Sequence, residues 1–193
     1  MKIEYEATFT NINKDNIRSK LKEINAILMR PEFLQKRIVF TMPKGHEIKG
    51  GWLRVRDEGN KITMTLKIVD GSRIENQKEI LLTVDNFEQA EEFLTTLGCE
   101  KTSYQENRRE LWKLDDVDIT IDEWPFLEPF VEVEGNSEEA VKDISKKLGS
   151  NYQNAMFGTV TTLYSKKYNI PEKVINNDIL KIIFEMDNPF IKK

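Results

Sequence analysis

Short segments in which apolar and charged residues alternate constrain the fold of this chain most strongly. In residues 130–135, Val131 and Val133 fall on one face of a strand, while Glu132 and Glu134 share the other. Two unpaired carboxylates about 7 Å apart would repel each other by on the order of 2–3 kcal/mol in partly enclosed surroundings. The pattern therefore predicts a cation between them. Mg²⁺ or Mn²⁺ is the first candidate, because such ions take carboxylate and phosphate oxygens as ligands.

The same alternation recurs along the chain, and the charges on the polar faces are sorted by strand. The segments concerned are 1–9, 51–56, 62–69, 117–122 and 130–135. One segment presents only acid, as Glu4 and Glu6, and another presents only base, as Arg54 and Arg56. An ordinary sheet with one solvated face is an alternative for any single strand. Solvated faces usually mix charges of both signs, so the whole set favours a site that holds a polyanion and its metal.

A series of short motifs runs through roughly residues 1–165. They are Glu4-x-Glu6-x-Thr8, Leu53-Arg54-x-Arg56, Thr65-x-Lys67, Glu79, Asn107-x-Arg109, Asp122 and Glu132-x-Glu134. Each motif is weak alone, but their order and approximate spacing together resemble the CYTH or triphosphate tunnel superfamily. That superfamily includes class IV adenylate cyclases, thiamine triphosphatases and inorganic triphosphatases.

The resemblance implies an α+β fold built on an eight-stranded antiparallel β-barrel, or tunnel, with a charged lumen and with helices packed outside. The helical periodicity predicts these outer helices over 14–28, 85–97 and 137–149. One CYTH-like domain would span residues 1–193, and Pro171 with the apolar residues after it predicts a C-terminal helical extension over 171–193. This extension either packs on the barrel, gates one mouth or forms a dimer contact.

The resemblance also implies roles for the charged residues. The residues implied to bind the triphosphate are Arg54, Arg56, Lys67 and Arg109. The residues implied to bind one or two divalent ions, Mg²⁺ or Mn²⁺, are Glu4, Glu6, Asp122, Glu132 and Glu134. Lys67 is also the candidate catalytic residue, as a general base or as a group that orients the nucleophile, if the neighbouring Arg54 and Arg56 lower its pKa.

Two positions depart from the family pattern. Thr8 and Asn107 stand where the signature has lysines, so the lumen is less cationic and triphosphate binding is expected to be weaker, or the ligand to differ. Arg37 and Lys78 are candidates to restore a positive charge from elsewhere. The early strand that contains Arg37 also lacks the tyrosine that some triphosphatases pair with the lysine of T-x-K.

The implied function is a metal-dependent enzyme that acts on a triphosphate-containing substrate, as a phosphohydrolase of inorganic, thiamine or nucleoside triphosphate. Three alternatives stay open. The first is a class IV adenylate cyclase that makes cyclic AMP from ATP, and the second is a polyanion-binding or nucleotide-binding module without turnover. The third is an ordinary antiparallel sheet domain that works through a partner surface.

Composition excludes several other chemistries. The chain has a single histidine, His46, and a single cysteine, Cys99, so Ser-His-Asp, Cys-His and zinc sites are not expected. A net charge of −4 argues against nucleic acid as the main partner. No apolar run reaches the length of a membrane span, and the start of the chain reads as a strand, so a cytoplasmic location is expected. The expected partner is a small triphosphate or nucleotide, with a homodimer as a further option.

Overall fold

An antiparallel sheet makes up most of the molecule in the computed structural model, which describes residues 1–191. The strands are β1 (Lys2–Ile3), β2 (Tyr5–Phe9), β3 (Ile27–Phe40), β4 (Gly51–Asp57), β5 (Ile62–Val69), β6 (Gln77–Val84), β7 (Lys101–Leu114), β8 (Val117–Glu123), β9 (Phe130–Gly135) and β10 (Lys181–Ile182). The helices are α1 (Lys14–Glu23), α2 (Phe87–Thr96), α3 (Glu138–Lys147), α4 (Val160–Tyr168) and α5 (Glu172–Asp178).

The N-terminal segment closes the sheet on itself. The strand order is β1-β6-β5-β4-β3-β7-β8-β9-β2, so β1 lies at one end of the path and β2 at the other. A single residue, Glu4, separates β1 from β2, and the same stretch of chain therefore pairs with both β6 and β9. If β1 and β2 are taken as one segment, the barrel has eight strands. The predicted antiparallel barrel with helices outside is confirmed, although β1 and β2 counted separately give one strand more.

Side-chain caps begin three helices close to where the sequence predicts them. Asn13, Asn86 and Ser137 accept hydrogen bonds from backbone amides in the first turns of α1, α2 and α3. Helix α1 ends at Glu23, short of the predicted residue 28. It ends there because Asn25 adopts a left-handed conformation and the chain then enters β3.

The apolar core lies outside the barrel wall, between the strands and the helices. Ile119 and Val133 are fully buried in a cluster that also contains Leu21 of α1 and Val141 of α3. A second cluster joins apolar residues of β3 and β4 to α2; it consists of Ile38, Phe40, Val55, Ala90, Leu94 and Cys99. Because side chains alternate along each strand, burial of these residues on the outer face directs the charged residues into the lumen.

The segment after Pro171 differs from the predicted helical extension over 171–193. Helix α5 covers only Glu172–Asp178, and the chain then pairs with β7 through β10. The amide of Tyr104 donates a hydrogen bond to the carbonyl of Leu180, so pairing with β7 takes the place of further helical hydrogen bonds. Prediction of a continuous helix was therefore wrong beyond Asp178, and residues 192 and 193 lie outside the described part of the chain.

The C-terminal region forms a third apolar cluster at one end of the barrel. Its buried members are Trp124, Phe130, Leu163, Tyr164, Ile175, Ile182 and Phe190. Trp124 directly follows β8, two residues after Asp122, and Phe130 begins β9, two residues before Glu132. Because side chains alternate along a strand, both residues are on the lumen-facing side. The cluster therefore covers this end of the lumen, which we call the closed end. None of the helices within residues 1–191 is long and apolar enough to span a membrane.

Replacement of an outward-facing strand residue tests this arrangement. Ile119→Ala should lower the free energy of unfolding by about 2–5 kcal/mol, because it opens a cavity between the barrel and its helices. Ile27→Ala, at a β3 position that is 65% exposed, should change it by less than about 0.5 kcal/mol. Urea denaturation of both variants measures the difference. Equal effects would contradict a core that lies outside the barrel.

Candidate functional site

Basic and acidic side chains from strands distant in sequence meet inside the barrel. Arg54 is buried on β4, and Asp122 on β8 is completely buried. The structure places all the charged residues predicted for the site on lumen-facing positions of their strands or, for Glu4, at the join between β1 and β2. Closure of the sheet thus brings the basic and acidic sets into one enclosed space.

Arg109 is held by two carboxylates. Its Nε donates to Asp122 Oδ1 at 2.9 Å, and its Nη2 donates to Glu132 Oε2 at 2.6 Å. The hydroxyl of Thr120 also donates to Asp122 Oδ2, at 2.7 Å. Burial alone lowers the pKa of Arg109, but the charges of Asp122 and Glu132 outweigh it and raise the pKa above the usual value. Arg109 is therefore a fixed cation on the acidic side of the lumen.

Lys67 lies between two other carboxylates. Its Nζ is 2.9 Å from Glu4 Oε2 and 3.5 Å from Glu79 Oε2. Burial raises the pKa of Glu4, but Lys67, with smaller contributions from Glu79 and Arg54, outweighs burial and the net pKa is lowered. Glu79 keeps a raised pKa because burial outweighs the attraction of Lys67. Lys67 thus contacts carboxylates, not the neighbouring arginines that were expected to activate it as a base.

Arg54 and Arg56 are less completely compensated. Arg54 Nη2 is 3.8 Å from Glu79 Oε2, at the long end of the ion-pair range, and burial followed by repulsion from Arg56 lowers the pKa of Arg54 to about 9. Arg56 Nη2 lies 2.7 Å from Glu58 Oε1. Glu58 was not predicted as a site residue, although it follows Arg54 and Arg56 at the same spacing of two residues.

Buried polar atoms without a hydrogen-bond partner concentrate on three adjacent strands, and among them Glu58 Oε1 has only its ion-pair contact with Arg56. In the part of the chain that the structure describes, these atoms are Gln35 Nε2, Arg37 Nε, Arg54 Nε, Arg56 Nε, Glu58 Oε1, Thr63 Oγ1 and Thr65 Oγ1. Apart from Glu58, which directly follows β4, they belong to β3, β4 and β5, which lie side by side in the sheet. We call this face of the lumen the donor wall, because most of these atoms donate hydrogen bonds. Buried donors are normally paired in proteins, so the donor wall fits an anionic ligand.

The opposite side of the lumen carries excess negative charge. Glu6 on β2 pairs in register with Glu134 on β9. Burial, then repulsion from Glu132 and further from Glu4 and Glu134, raises the pKa of Glu6 well above the usual value, against the attraction of Lys67. An enclosed carboxylate with this surplus of like charge fits a cation ligand.

The five predicted metal ligands share this side of the lumen but do not form one ligand set. Glu4 contacts Lys67, Asp122 and Glu132 contact Arg109, and Glu134 Oε1 is 3.5 Å from Lys2 Nζ. Within residues 1–191, no group of three or more His, Cys, Asp or Glu residues could hold a metal ion. Mg²⁺ is commonly held by one or two carboxylates together with substrate phosphates, so the crowded carboxylates around Glu6 fit an ion that is completed by phosphate oxygens.

The two positions that replace family lysines have different surroundings. Asn107 is completely buried, and its Nδ2 donates to Asp122 Oδ1 at 2.8 Å while its Oδ1 accepts from Arg37. Arg37 thus supplies a guanidinium beside Asn107, whereas Lys78 is paired with Asp70 at 2.6 Å, on the strand face opposite to that of Glu79. Thr8 is buried near the closed end, where its backbone pairs with Met156.

Comparison with known proteins identifies a family model and a group of solved structures. The model of the CYTH domain matches residues 2–164. No curated protein matches the chain in sequence. A protein of Pyrococcus horikoshii OT3 is similar in structure with a TM-score of 0.68 and 22% identity, over 85% of this chain and 99% of its own.

Two further structures have names that mention an activity. A proposed adenylate cyclase of Vibrio parahaemolyticus has a TM-score of 0.72 and 13% identity, over 85% of this chain and 98% of its own. A proposed adenylyl cyclase of Hippeastrum, described as having a dominant triphosphatase activity, has a TM-score of 0.55 and 12% identity, over 90% of this chain and 99% of its own. At these identities the likeness shows a shared fold.

The raised pKa of Glu6 predicts how stability depends on pH. Above the ordinary carboxyl range, the unfolded chain has released the Glu6 proton while the folded chain still binds it. The free energy of unfolding therefore falls as pH rises from about 5 toward the folded pKa. Glu6→Gln should remove this loss and raise the melting temperature at neutral pH, by about 2–4 °C for each kcal/mol regained.

Thermal unfolding of the metal-free protein between pH 5 and 8 measures the effect. Glu47→Gln is the matched control, because Glu47 lies in an exposed loop and its pKa is lowered, chiefly by the Gly45 amide. A Glu6→Gln profile that runs parallel to the wild-type profile across this range would contradict the prediction.

Proposed function

The chain belongs to the CYTH domain family, and from that premise we propose that it is a metal-dependent phosphohydrolase that acts on a linear triphosphate. The triphosphate is inorganic or is carried by thiamine or a nucleoside. Members of the family are typically enzymes of the triphosphatase or adenylyl cyclase type, and this supports the proposal.

One observation carries the proposal, namely the separation of the donor wall from the acidic side of the lumen. Arg54 and Arg56 keep unpartnered Nε–H groups on the donor wall. On the facing side, Glu6 lies among the like-charged Glu4, Glu132 and Glu134. A lone anion would pair only with the donors of the donor wall, and a lone cation only with the carboxylates around Glu6. A phosphate chain with a divalent ion bound to its oxygens satisfies both.

The residues of the chain would mainly position phosphate and stabilise charge, as phosphoryl transfer requires. Arg54 and Arg56 donate to phosphate oxygens from the donor wall. Lys67, held by Glu4 and Glu79, orients the phosphate chain or the attacking water. We assign it this role in preference to that of a general base, because its ammonium group forms ion pairs with both carboxylates.

The acidic side supplies the candidate metal ligands. Glu6, together with Glu132 or Glu134 and with phosphate oxygens of the substrate, would hold Mg²⁺ or Mn²⁺, which supplies charge neutralisation and an oriented water when bound. Glu132 is also bonded to Arg109, and Arg109 is bonded to Asp122. Asp122 therefore positions Arg109 in this proposal, a role that differs from the metal-binding role implied by the family pattern.

Binding without turnover is the second candidate, and the environment of two residues favours it. Asn107 contributes a neutral amide at the position of a family lysine, and Lys67 already has two carboxylate partners. A lumen of this composition has fewer uncommitted cations to stabilise a transition state than the family pattern provides. Release of product from a triphosphate separates this candidate from the enzyme.

A substrate screen tests the proposal. The protein should release orthophosphate from inorganic triphosphate, thiamine triphosphate or ATP in the presence of Mg²⁺ or Mn²⁺, and release should stop with EDTA. Arg56→Ala and Glu134→Gln should each lower kcat/KM by roughly 100- to 1,000-fold, because each removes a group that stabilises phosphate charge or metal. Separate assays for orthophosphate, pyrophosphate and cyclic AMP measure the products.

Lys78→Ala is the matched control for loss of a positive charge from the sheet, and it should retain wild-type activity because Lys78 is paired with Asp70. Pyrophosphate and cyclic AMP as the products would contradict the proposed hydrolysis and identify the protein as a cyclase. Binding of the triphosphates with none of these products would leave the binding module as the function.

A further inference from the structure

Arg37 is a buried cation that the family pattern does not assign to the site. It is 6% exposed on β3, and its Nη2 donates to Gln35 Oε1 at 3.3 Å and to Asn107 Oδ1. Both acceptors are neutral amides. In the part of the chain that the structure describes, no carboxylate lies within ion-pair distance of Arg37, and its Nε has no hydrogen-bond partner.

The side chain stands at the closed end of the lumen. The guanidinium lies over the ring of Trp124, at 4.5 Å from the ring centroid. Trp124 contacts Tyr164 edge-on with 6.4 Å between centroids, and the Tyr164 hydroxyl donates to the carbonyl of Pro125 at 2.7 Å. Tyr164 stacks in turn on Phe190, at 4.3 Å between centroids. Arg37 is therefore backed by an apolar wall that leads into the C-terminal cluster.

Electrostatics at this position favour a bound anion. Burial lowers the pKa of Arg37 well below its usual value, and repulsion from Arg54, Arg56 and Arg109 lowers it further, against a smaller attraction from Asp122. A buried charge is normally compensated by a partner of opposite sign, since an uncompensated one is strongly destabilising. Asn107 does not compensate it, because its amide only relays hydrogen bonding between Arg37 and Asp122.

We propose that Arg37 binds the innermost phosphate of the ligand, and that this phosphate is a free chain end held at the closed end of the lumen. The inference rests on the proposed function and adds a polarity to it: the unsubstituted phosphate enters first, and any organic group faces the end opposite to the closed end. The ligand class is then a linear polyphosphate with at least one free terminal phosphate. A triphosphate substituted at both ends does not fit, because the apolar cluster blocks the second substituent.

Binding of inorganic triphosphate with Mg²⁺, measured by calorimetry, tests the role of Arg37. Arg37→Met should raise Kd by roughly 10- to 100-fold, as expected for loss of hydrogen bonds to a charged group. Arg37→Lys should recover part of the affinity, because it keeps the charge without the planar fork. Lys78→Met, which removes a paired positive charge on the opposite strand face, should bind as the wild type does.

Stability of the ligand-free protein separates binding from a structural role. Arg37→Met should melt at the same or a higher temperature than the wild type, because it removes a buried charge that lacks a counter-ion. A structural role for Arg37 predicts a lower melting temperature. The inference is overturned if Arg37→Met binds inorganic triphosphate as tightly as the wild type, whether or not the protein hydrolyses it.

A ligand blocked at both ends tests the polarity. Diadenosine triphosphate should bind at least about 10-fold more weakly than ATP to the wild-type protein. Equal affinity for the two would overturn the assignment of a free phosphate to the closed end.

If the protein binds triphosphate without hydrolysing it and Arg37→Met weakens that binding, the inference stands and the proposed enzymatic function fails. If the wild type binds no inorganic phosphate chain, the inference about Arg37 and the proposed function are both contradicted.

Discussion

Closure of the sheet by the N-terminal segment is the constraint on which the rest of the structure depends. Residues of β1 and β2 pair with β6 and β9, and only Glu4 separates the two strands. Without this closure, the lumen-facing side chains would be exposed along one sheet face, where charged pairs are screened by water and contribute little. With it, the same side chains are buried and must find partners or a ligand. The apolar outer face is then buried by the helices, and the usual relation of polar outside to apolar inside is inverted.

The enclosed charges divide into committed and uncommitted groups. Arg109 and Lys67 are each held by two carboxylates, so their positions are fixed before any ligand binds. Unpartnered donors remain on the donor wall, and Glu6 remains among like-charged carboxylates. Uncompensated groups of both signs lower the stability of the ligand-free protein, and a ligand that carries both phosphate and metal restores it. Such a trade between stability and binding is typical of functional sites.

Much of the fold and of the site follows from strand periodicity. Because successive residues of a strand face opposite sides, alternation in the sequence is enough to assign Arg54, Glu132 and the other charged residues to one face. The ion pairs themselves could not be predicted, since the contact of Lys67 with Glu4 depends on strand register and on closure of the barrel. The orientation of Arg37 could not be predicted for the same reason. Each of these contacts joins strands that are distant in sequence.

The C-terminal segment shows a different limit of the sequence. Its apolar residues have helical spacing, yet the chain leaves the helix after Asp178 and pairs with β7. Available hydrogen-bonding groups on β7 decide the outcome here, and periodicity alone carries no information about them. The consequence is functional as well as structural, because this segment contributes Ile182 and Phe190 to the cluster that covers one end of the lumen.

The central claim is that one enclosed lumen holds a phosphate chain on the donor wall and a divalent ion on the facing carboxylates. A crystal structure with Mn²⁺ and a non-hydrolysable triphosphate analogue tests it most directly, because anomalous scattering locates the metal independently of the phosphates. We expect phosphate oxygens within hydrogen-bond distance of Arg54 and Arg56, and the manganese peak beside Glu6, Glu132 or Glu134. Metal and phosphate on the outer surface, with the lumen ion pairs unchanged, would contradict the account.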